Sequence, residues 1–268
     1  FIVEFFIQTI TAHFTEIVVP TKMFQSNLFL QSLLLRNKIH VLIPGHTGTG
    51  KSTNCLSLLS KGLDSNFISA SIVLSAQTHQ DQIQELIFSQ IIKRKRAVLG
   101  PASGKRLVVF IDDMNMPQKQ FFGDQPPLEL TRQILDRGGC YVRKSQKEYI
   151  CLEDVFVLAA MNPHTRDPMP PRLVRQFFVL GYPELEKSTL AAIFDHLLSH
   201  SLGRYNEVVK SLIPQLIELQ LSLFEQVRAK LLPIPSKPHY QFNLRDISRV
   251  FQGVSRSTPK TIDSKKRL

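Results

Sequence analysis

The sequence lacks the features that mark disulfide-rich, zinc-binding and membrane-spanning proteins. It contains three cysteines, Cys55, Cys140 and Cys151, with neither C-x-x-C spacing nor a histidine at ligand spacing. This sparse, odd set argues against a disulfide framework or a zinc site and fits a reducing, intracellular compartment. No apolar stretch approaches the roughly 20 residues that cross a bilayer. The apolar first ten residues carry Glu4 and no basic segment, unlike a signal peptide. We therefore expect no membrane contact.

The charge balance favours acidic partners without choosing among them. Lys and Arg number 33 against 22 Asp and Glu, a formal net charge of +11, which suits a nucleotide, a nucleic acid or an acidic protein surface. Two basic runs, residues 93–96 and 265–267, are predicted to be a solvated loop and a solvated tail. Neither run has the interleaved aromatic residues that nucleic-acid binding requires, so we expect no nucleic-acid partner.

Strand-like and helix-like segments alternate up to about residue 183. Apolar runs predict strands at residues 41–43, 67–74, 107–111, 155–160 and 177–180. Helical spacing predicts helices at residues 28–36, 52–60, 82–93 and 129–136, and weak alternation predicts a β-hairpin at residues 141–150. Alternation of strands with helices indicates a parallel sheet with helices on both faces. The fold class predicted for residues 1–183 is therefore α/β.

No strand is predicted after residue 184. Apolar residues keep helical spacing, and a proline-rich link at residues 233–238 precedes a final helix. Asn243 is suited to cap that helix, with Asp246 in its first turn. We predict a small all-helical domain over residues 184–268, ending in a frayed basic tail.

The octapeptide at residues 45–52 fits the pattern G-x-x-x-x-G-K-[ST], which cradles nucleotide phosphates. Its residues are Gly45, His46, Thr47, Gly48, Thr49, Gly50, Lys51 and Ser52, and Thr53 follows them. A predicted strand precedes it and a predicted helix follows, which is the context that the motif requires. Glycines let backbone N–H groups turn towards the phosphates, Lys51 reaches the β- and γ-phosphates, and the Ser52 hydroxyl binds Mg²⁺. The sequence predicts a site for Mg²⁺ with ATP or ADP.

Polar side chains follow the two central apolar runs. Asp112 and Asp113 end the run at residues 107–111, and Asn162 ends the run at residues 155–160. We assign Asp112 as the Mg²⁺ carboxylate, Asp113 to the water-activating position, and Asn162 to orienting water or contacting the γ-phosphate. The alternatives are an ordinary strand-ending turn and an Asn-Pro turn.

Three arginines are candidates to stabilise the charge of a transferring phosphoryl group. Arg172 and Arg175 lie on one face of a short turn or helix before the last predicted strand, and Arg245 opens the final helix. A guanidinium fork suits phosphoryl oxygens. The alternatives are a structural surface pair and an exposed helical arginine.

The order of these parts resembles an AAA+ ATPase module, and more narrowly the third AAA+ module of dynein heavy chains. The resemblance covers about residues 14–253. The stretches that carry it are residues 18–21, 75–78, 110–117 (F-I-D-D-M-N-M-P), 123–130 (G-D-Q-P-P-L-E-L) and 242–246. The form D-D-x-N-M-P resembles axonemal heavy chains more than cytoplasmic ones. The resemblance implies a helical lid domain after the α/β core.

The resemblance also implies roles for single residues. It makes residues 45–52 Walker A, Asp112 the Walker B magnesium residue, Asn162 sensor 1 and Arg245 sensor 2. Arg172 or Arg175 is then the arginine finger that points at the nucleotide of the neighbouring module. Val18 and Val19 are placed near the adenine.

At the level of the parent chain, the resemblance implies six AAA+ modules in one ring, the third regulating motion driven mainly by the first. The implied partners are the neighbouring modules, dynein intermediate and light chains, and a microtubule contacted by other parts of the parent chain. The implied location is the cytoplasm and cytoskeleton, at the axoneme of a cilium or flagellum.

The sequence departs from the general AAA+ pattern at two positions. Asp113 stands where glutamate is usual, and its carboxylate is one methylene shorter. Misplacement by about 1 Å can cost on the order of 100-fold in rate, so we predict tight ATP or ADP binding with slow hydrolysis. His46 stands where proline is more usual after the first glycine, and its backbone N–H still serves, so binding is expected to survive.

Three other functions remain open from the sequence. A stand-alone AAA+ ATPase acting on nucleic acid fits the charge but not the lack of interleaved aromatics. A structural segment with a permanently bound nucleotide differs only in nucleotide exchange. A small-molecule kinase shares the loop but not the arginine pair or the helical lid.

Overall fold

The computed structural model describes residues 17–142, 148–163, 168–203, 205–237 and 239–257. They form two compact units. The α/β unit comprises Ser26–His46 and Gly50–Pro183, and the helical unit comprises the described parts of Phe1–Gln25, Thr47–Thr49 and Glu184–Leu268. The basic tail predicted at residues 265–267 lies outside the described residues.

The elements follow in chain order. The strands are β1 (Val41–Pro44), β2 (Phe67–Val73), β3 (Ile92–Lys95), β4 (Val98–Gly100), β5 (Arg106–Asp112), β6 (Gly139–Tyr141), β7 (Tyr149–Leu152), β8 (Val155–Met161) and β9 (Phe178–Val179). The helices are α1 (Lys22–Arg36), α2 (Lys51–Ser57), α3 (Gln80–Ser89), α4 (Pro126–Arg137), α5 (Pro171–Val174), α6 (Lys187–Ser201), α7 (Glu207–Lys210), α8 (Ile213–Lys230) and α9 (Leu244–Ser255). A turn of the wider π-helix, Leu58–Gly62, continues α2.

Five strands form a parallel sheet in the order β2-β5-β8-β1-β9. All four strand pairs in it are parallel. β5 and β8 lie inside the sheet and are buried along nearly their whole length, as continuous apolar runs predict for strands covered on both faces. The predicted α/β class is confirmed, and the carboxyl ends of the strands meet at one edge of this sheet.

A second sheet has four strands in the order β3-β4-β7-β6. The hairpin predicted at residues 141–150 is confirmed, with Tyr141 opposite Tyr149 in an antiparallel pair. Residues 143–147 of that hairpin lie outside the described residues. Parallel pairing of β4 with β7 joins this hairpin to the one formed by β3 and β4. The second sheet is therefore built from two insertions between elements of the first.

The prediction of a helix over residues 82–93 is wrong at its carboxyl end. α3 ends at Ser89, and the basic run predicted as a solvated loop begins inside β3. Consecutive cations on one helical turn repel each other, whereas a strand points them alternately to opposite faces. The Arg94 guanidinium then donates to the Asp154 carboxylate at 2.6 Å, which fixes the strand against the turn before β8. The lysines of the run stay exposed.

The helical unit has its own core between α6, α8 and α9. Phe251 is completely buried there, and its ring centroid lies 4.6 Å from that of Phe194. α9 begins with the predicted cap: the Asn243 side chain accepts the Arg245 N–H at 2.8 Å, and the Asp246 carboxylate accepts the Asn243 N–H at 2.9 Å. In the described part of this unit no strand occurs, apart from one isolated bridge.

The described residues show neither a membrane-spanning helix nor a cluster of metal ligands. No helix within the described ranges is both long and apolar enough to cross a membrane. The same residues contain no group of three or more His, Cys, Asp and Glu that could hold a metal ion. Cys55 and Cys140 are buried, Cys151 is exposed, and all three are free thiols.

Candidate functional site

The octapeptide connects β1 to α2 at the carboxyl edge of the parallel sheet. The Gly45 N–H donates to the Met161 carbonyl at the end of β8, at 3.1 Å, so the first glycine is tied to the neighbouring strand. α2 begins at Lys51, directly after Gly50. The predicted order of strand, loop and helix is therefore confirmed.

Glycine is required in the loop for two different reasons. Gly48 and Gly50 have φ of 87° and 83°, in the left-handed region that side chains disfavour. A Cβ on Gly50 would meet no atom within 4 Å, so the loop stays open there. Gly45 lies outside that region, but a Cβ on it would lie 2.8 Å from the Cβ of Tyr182. Gly45 thus allows a close approach of two backbones.

Lys51 is held by the loop that precedes it. Lys51 is only 8% exposed. Its ammonium donates to the carbonyls of Gly45 and His46, both at 2.6 Å. These bonds keep the cation inside the curve of the loop. Of the other loop residues, Thr49 is buried, His46, Gly48 and Ser52 are half-buried, and Thr47 and Thr53 are exposed.

The paired carboxylates stand where the motif order predicted them, at the end of β5. Asp112 is the last residue of that strand, and its Oδ1 accepts the N–H of Asp113 at 3.0 Å. Asp113 is exposed and has φ of 51°. Aspartate tolerates this left-handed conformation better than most residues because its short polar side chain can bond locally. The strand thus ends abruptly, with one carboxylate in the strand and the next in the turn.

Electrostatics connects the helix after the loop with the end of β5. Burial is the largest cause that raises the pKa of the Cys55 thiol on α2, the Asp112 carboxylate raises it further, and the Lys51 ammonium lowers it. Asp112 and Lys51 therefore lie within electrostatic range of one buried side chain. The thiol remains protonated, which makes it a poor nucleophile and a poor metal ligand.

The ends of β5 and β8 are bonded to each other directly. The Met114 N–H donates to the Ala160 carbonyl at 2.9 Å, and the Asn115 side-chain amide donates to the Asn162 carbonyl at 2.7 Å. Asn115, only 5% exposed, thus positions the backbone of Asn162. Sequence reasoning did not assign it this task, although Asn115 stands inside the stretch D-D-M-N-M-P that carries the family resemblance.

The two arginines near the last strand differ in their surroundings. Arg172 is an exposed residue of α5. Arg175 follows that helix, and its guanidinium lies 3.8 Å from the Asp136 carboxylate of α4. Asp136 also accepts a hydrogen bond from the Gln176 side chain at 2.8 Å, so Arg175 is drawn towards α4.

Other candidate residues belong to the helical unit. Arg245 is exposed in the first turn of α9. Val18 and Val19 are half-buried, and Val19 packs against the core of this unit. Thr47–Thr49 of the octapeptide are grouped with the same unit. The α/β unit, for its part, brings together Gly45, Lys51, Asp112 and Asn162 at one edge of its sheet.

Comparisons with known proteins identify the family of the chain. The family described as "P-loop containing dynein motor region" matches residues 6–185, and the family described as "AAA+ lid domain" matches residues 216–268. Dynein axonemal heavy chain 1 of Rattus norvegicus is 36% identical over 270 residues, which cover 96% of this chain and 6% of that protein.

Two further relatives give the same result. Dynein axonemal heavy chain 6 of Homo sapiens is 37% identical over 93% of this chain and 6% of its own length. Dynein-1-beta heavy chain, flagellar inner arm I1 complex, of Chlamydomonas reinhardtii is 38% identical over 95% of this chain and 6% of its own length. The chain thus spans a small part of the length of the curated relatives it matches. It belongs to the family of P-loop dynein motor regions, with an α/β AAA+ fold and an AAA+ lid.

Proposed function

We propose that this chain is a nucleotide-binding AAA+ module of a dynein heavy-chain motor, and that it binds Mg²⁺ with ATP or ADP and hydrolyses ATP slowly. The observation that carries the proposal is the convergence of three strand ends at one sheet edge. β1 leads into the octapeptide, β5 ends in Asp112, and β8 ends beside Asn162. Hydrogen bonds link β1 to β8 and β8 to the turn after β5.

The residues at this edge fit a magnesium nucleotide. Gly48 and Gly50 adopt left-handed backbone conformations, and the space around Gly50 is open. Lys51 supplies positive charge. We assign Ser52 and Asp112 as the Mg²⁺ ligands, because hydroxyl and carboxylate oxygens suit that hard cation. When bound, Mg²⁺ neutralises charge on the β- and γ-phosphates. Asp113 is assigned to polarising the attacking water, and its short side chain makes this step slow.

The remaining roles follow the motif order. Asn162 acts as sensor 1, Arg245 as sensor 2, and Val18 and Val19 line the adenine side. The arginine finger serves the neighbouring module, and the attraction of Arg175 to Asp136 favours Arg172 for this task. We also propose that the nucleotide-binding core ends near residue 183 and that the rest forms the lid domain.

For the parent protein, we propose that this is the third module of a six-module ring in an axonemal heavy chain. The relatives, which are axonemal heavy chains and a flagellar inner-arm heavy chain, support this assignment. The module then regulates movement along a microtubule, in a cilium or flagellum, together with neighbouring modules and with intermediate and light chains. Because the chain spans 6% of these relatives, microtubule contact is assigned to other parts of the parent chain.

The experiment is a measurement of nucleotide content and exchange. The chain is purified with Mg²⁺, its bound nucleotide is extracted, and fluorescent ATP and ADP are titrated against wild type, Lys51→Ala and Lys61→Ala. Lys61 is an exposed lysine of the π-turn after α2 and is the matched control. We expect micromolar or tighter binding that only Lys51→Ala abolishes, with almost no phosphate release.

Other outcomes lead to different functions. Binding with brisk phosphate release would make Asp113 a competent base and this chain an active ATPase. No binding by a folded sample would leave the octapeptide as an inherited scaffold. Equal loss of binding in Lys51→Ala and Lys61→Ala would contradict the assigned role of Lys51.

A further inference from the structure

A buried polar cluster lies against the start of the phosphate loop, inside the α/β unit. Its members are Asn27 and Gln31 of α1, Asn54 of α2, and Tyr182, which follows β9. None of them is more than 8% exposed. Burying a polar side chain costs free energy unless hydrogen bonds replace its contacts with water. A group of four such side chains beside the loop therefore needs a reason other than core packing.

The side chains of this cluster join three separate segments. The Gln31 amide nitrogen donates to the Tyr182 hydroxyl at 2.6 Å and lies 3.3 Å from Oδ1 of Asn54. Gln31 thus connects the segment after β9 to α2, the helix that carries Lys51. The bond from Gln31 to Tyr182 joins two parts of the chain that are 151 residues apart in sequence.

The backbone of Tyr182 is fixed at the other end of the loop. Its N–H donates to the Pro44 carbonyl at 2.8 Å, and Tyr182 forms a parallel bridge with Gly45. The approach is so close that a Cβ on Gly45 would lie 2.9 Å from the Tyr182 carbonyl oxygen. One residue therefore contacts the first glycine of the loop through its backbone and the following helix through its hydroxyl and Gln31.

The Tyr182 hydroxyl is the nearer of the two acceptors of the Gln31 amide nitrogen. Burial is the largest cause that raises its pKa, with the Cys55 thiol adding to the effect, so the hydroxyl is neutral and can donate and accept. Within the described residues, Oε1 of Gln31 makes no hydrogen bond. Loss of the hydroxyl would leave the Gln31 amide nitrogen with only the longer bond to Asn54.

We propose that Tyr182, acting through Gln31, is a positioning residue of the phosphate loop. It holds the end of β1 and the start of α2 at the spacing in which the loop N–H groups and Lys51 bind phosphates. The proposal rests on the nucleotide-binding function proposed above. Neither Tyr182 nor Gln31 is assigned a contact with nucleotide, so their effect on binding passes through the geometry of the loop.

The test compares Tyr182→Phe, Gln31→Met and the double variant in the 268-residue chain. The matched control is Tyr205→Phe. Tyr205 is 7% exposed, and its hydroxyl bonds the Ser257 hydroxyl at 2.8 Å in the helical unit. The probe is fluorescent Mg-ADP, with Kd and dissociation rate as readouts, and the melting temperature is measured without nucleotide.

We expect each single variant to weaken Mg-ADP binding about fivefold to tenfold, the range that loss of one net hydrogen bond allows. The dissociation rate should rise by the same factor. The double variant should bind like either single variant, because both changes break the same connection. Tyr205→Phe should lower the melting temperature with unchanged Kd, since a purely structural hydroxyl does not act on the loop.

Several results would overturn the proposal. They are a Kd within twofold of wild type in Tyr182→Phe, effects that add in the double variant, or an equal change of Kd in Tyr205→Phe. If Tyr182→Phe does not fold, Gln31→Met decides alone, and misfolding of both would assign the cluster to stability only. If wild type itself fails to bind Mg-ADP, the nucleotide-binding function fails instead.

Discussion

Protonation of His40, which directly precedes β1, is predicted to destabilise the parallel sheet. The Nδ1 atom of His40 accepts the Val157 N–H of β8 at 3.1 Å. The ring centroid lies 6.0 Å from that of Phe156 and 6.4 Å from that of Phe177. Burial lowers the pKa of His40 from 6.5 to about 4, because a charged ring in this site would lose its water. A protonated Nδ1 also has no lone pair for the Val157 N–H.

The sign and size of the effect follow from these two pKa values. Above pH 7 the ring is neutral in both folded and unfolded chains, so His40 adds no pH dependence. Below pH 6.5 the unfolded chain binds a proton that the folded chain does not, so the free energy of unfolding falls. The loss reaches about 2 kcal/mol at pH 5 and levels off at roughly 3 kcal/mol below pH 4.

The assay is urea unfolding of wild type and His40→Asn at several pH values between 7 and 4. Asparagine offers an acceptor oxygen in place of Nδ1 but does not titrate in this range. Wild type should lose about 2 kcal/mol more than the variant between pH 7 and pH 5. Parallel pH profiles for the two proteins, with equal urea dependence, would refute the reasoning.

Four other substitutions have defined outcomes. Gly45→Ala forces a Cβ to within 2.8 Å of the Tyr182 Cβ and should lower the free energy of unfolding by about 1–3 kcal/mol. In Gly50→Ala the new Cβ meets no atom, but the residue has φ of 83°, so the substitution should lower the free energy of unfolding by about 1–2 kcal/mol. Both variants are measured by urea unfolding, and a neutral Gly45→Ala would contradict the steric argument. Asp113→Glu should raise phosphate release about 10- to 100-fold without changing the Kd for ADP, and an unchanged rate would show that the missing methylene is not limiting. Asn243→Ala should remove the α9 cap and about 1 kcal/mol of stability, read from the thermal unfolding of the chain.

The sheet that carries the site was predictable because its two central strands, β5 and β8, are buried along nearly their whole length. β5 and β8 contain continuous apolar runs, which are typical of strands buried on both faces. The glycine-rich octapeptide then located the loop, and the polar residues after the runs located the edge. Local sequence was sufficient wherever burial alone determined the structure.

The second sheet was not predictable in the same way. The basic run that begins in β3 has exposed lysines, as predicted. Its extended conformation depends on pairing with β4 and on the bond from Arg94 to Asp154. β4 in turn pairs with β7, which lies far along the chain. Tertiary contacts of this kind override the local conformational preference of the run. The sequence of the run alone does not predict them.

The cluster around Tyr182 shows the same limit for polar residues. Gln31 and Asn54 stand in helices where a polar residue ordinarily indicates a solvent-facing position, and both are fully buried. Their partner Tyr182 is distant in sequence. Nothing in composition or periodicity distinguishes such a residue from a surface one, so its position depends on how the sheet closes.

The order of strands has a consequence for synthesis on the ribosome. Among the described residues, β1 pairs with β8 and β9, with Val41 opposite Leu158 and Phe178. At about 5–20 residues per second, on the order of 10 s passes between translation of β1 and translation of its partners. During that interval the nascent chain carries an apolar segment and a glycine-rich loop with no sheet to join. Until translation has passed β8, we therefore expect chaperones to bind β1 as an unpaired apolar segment.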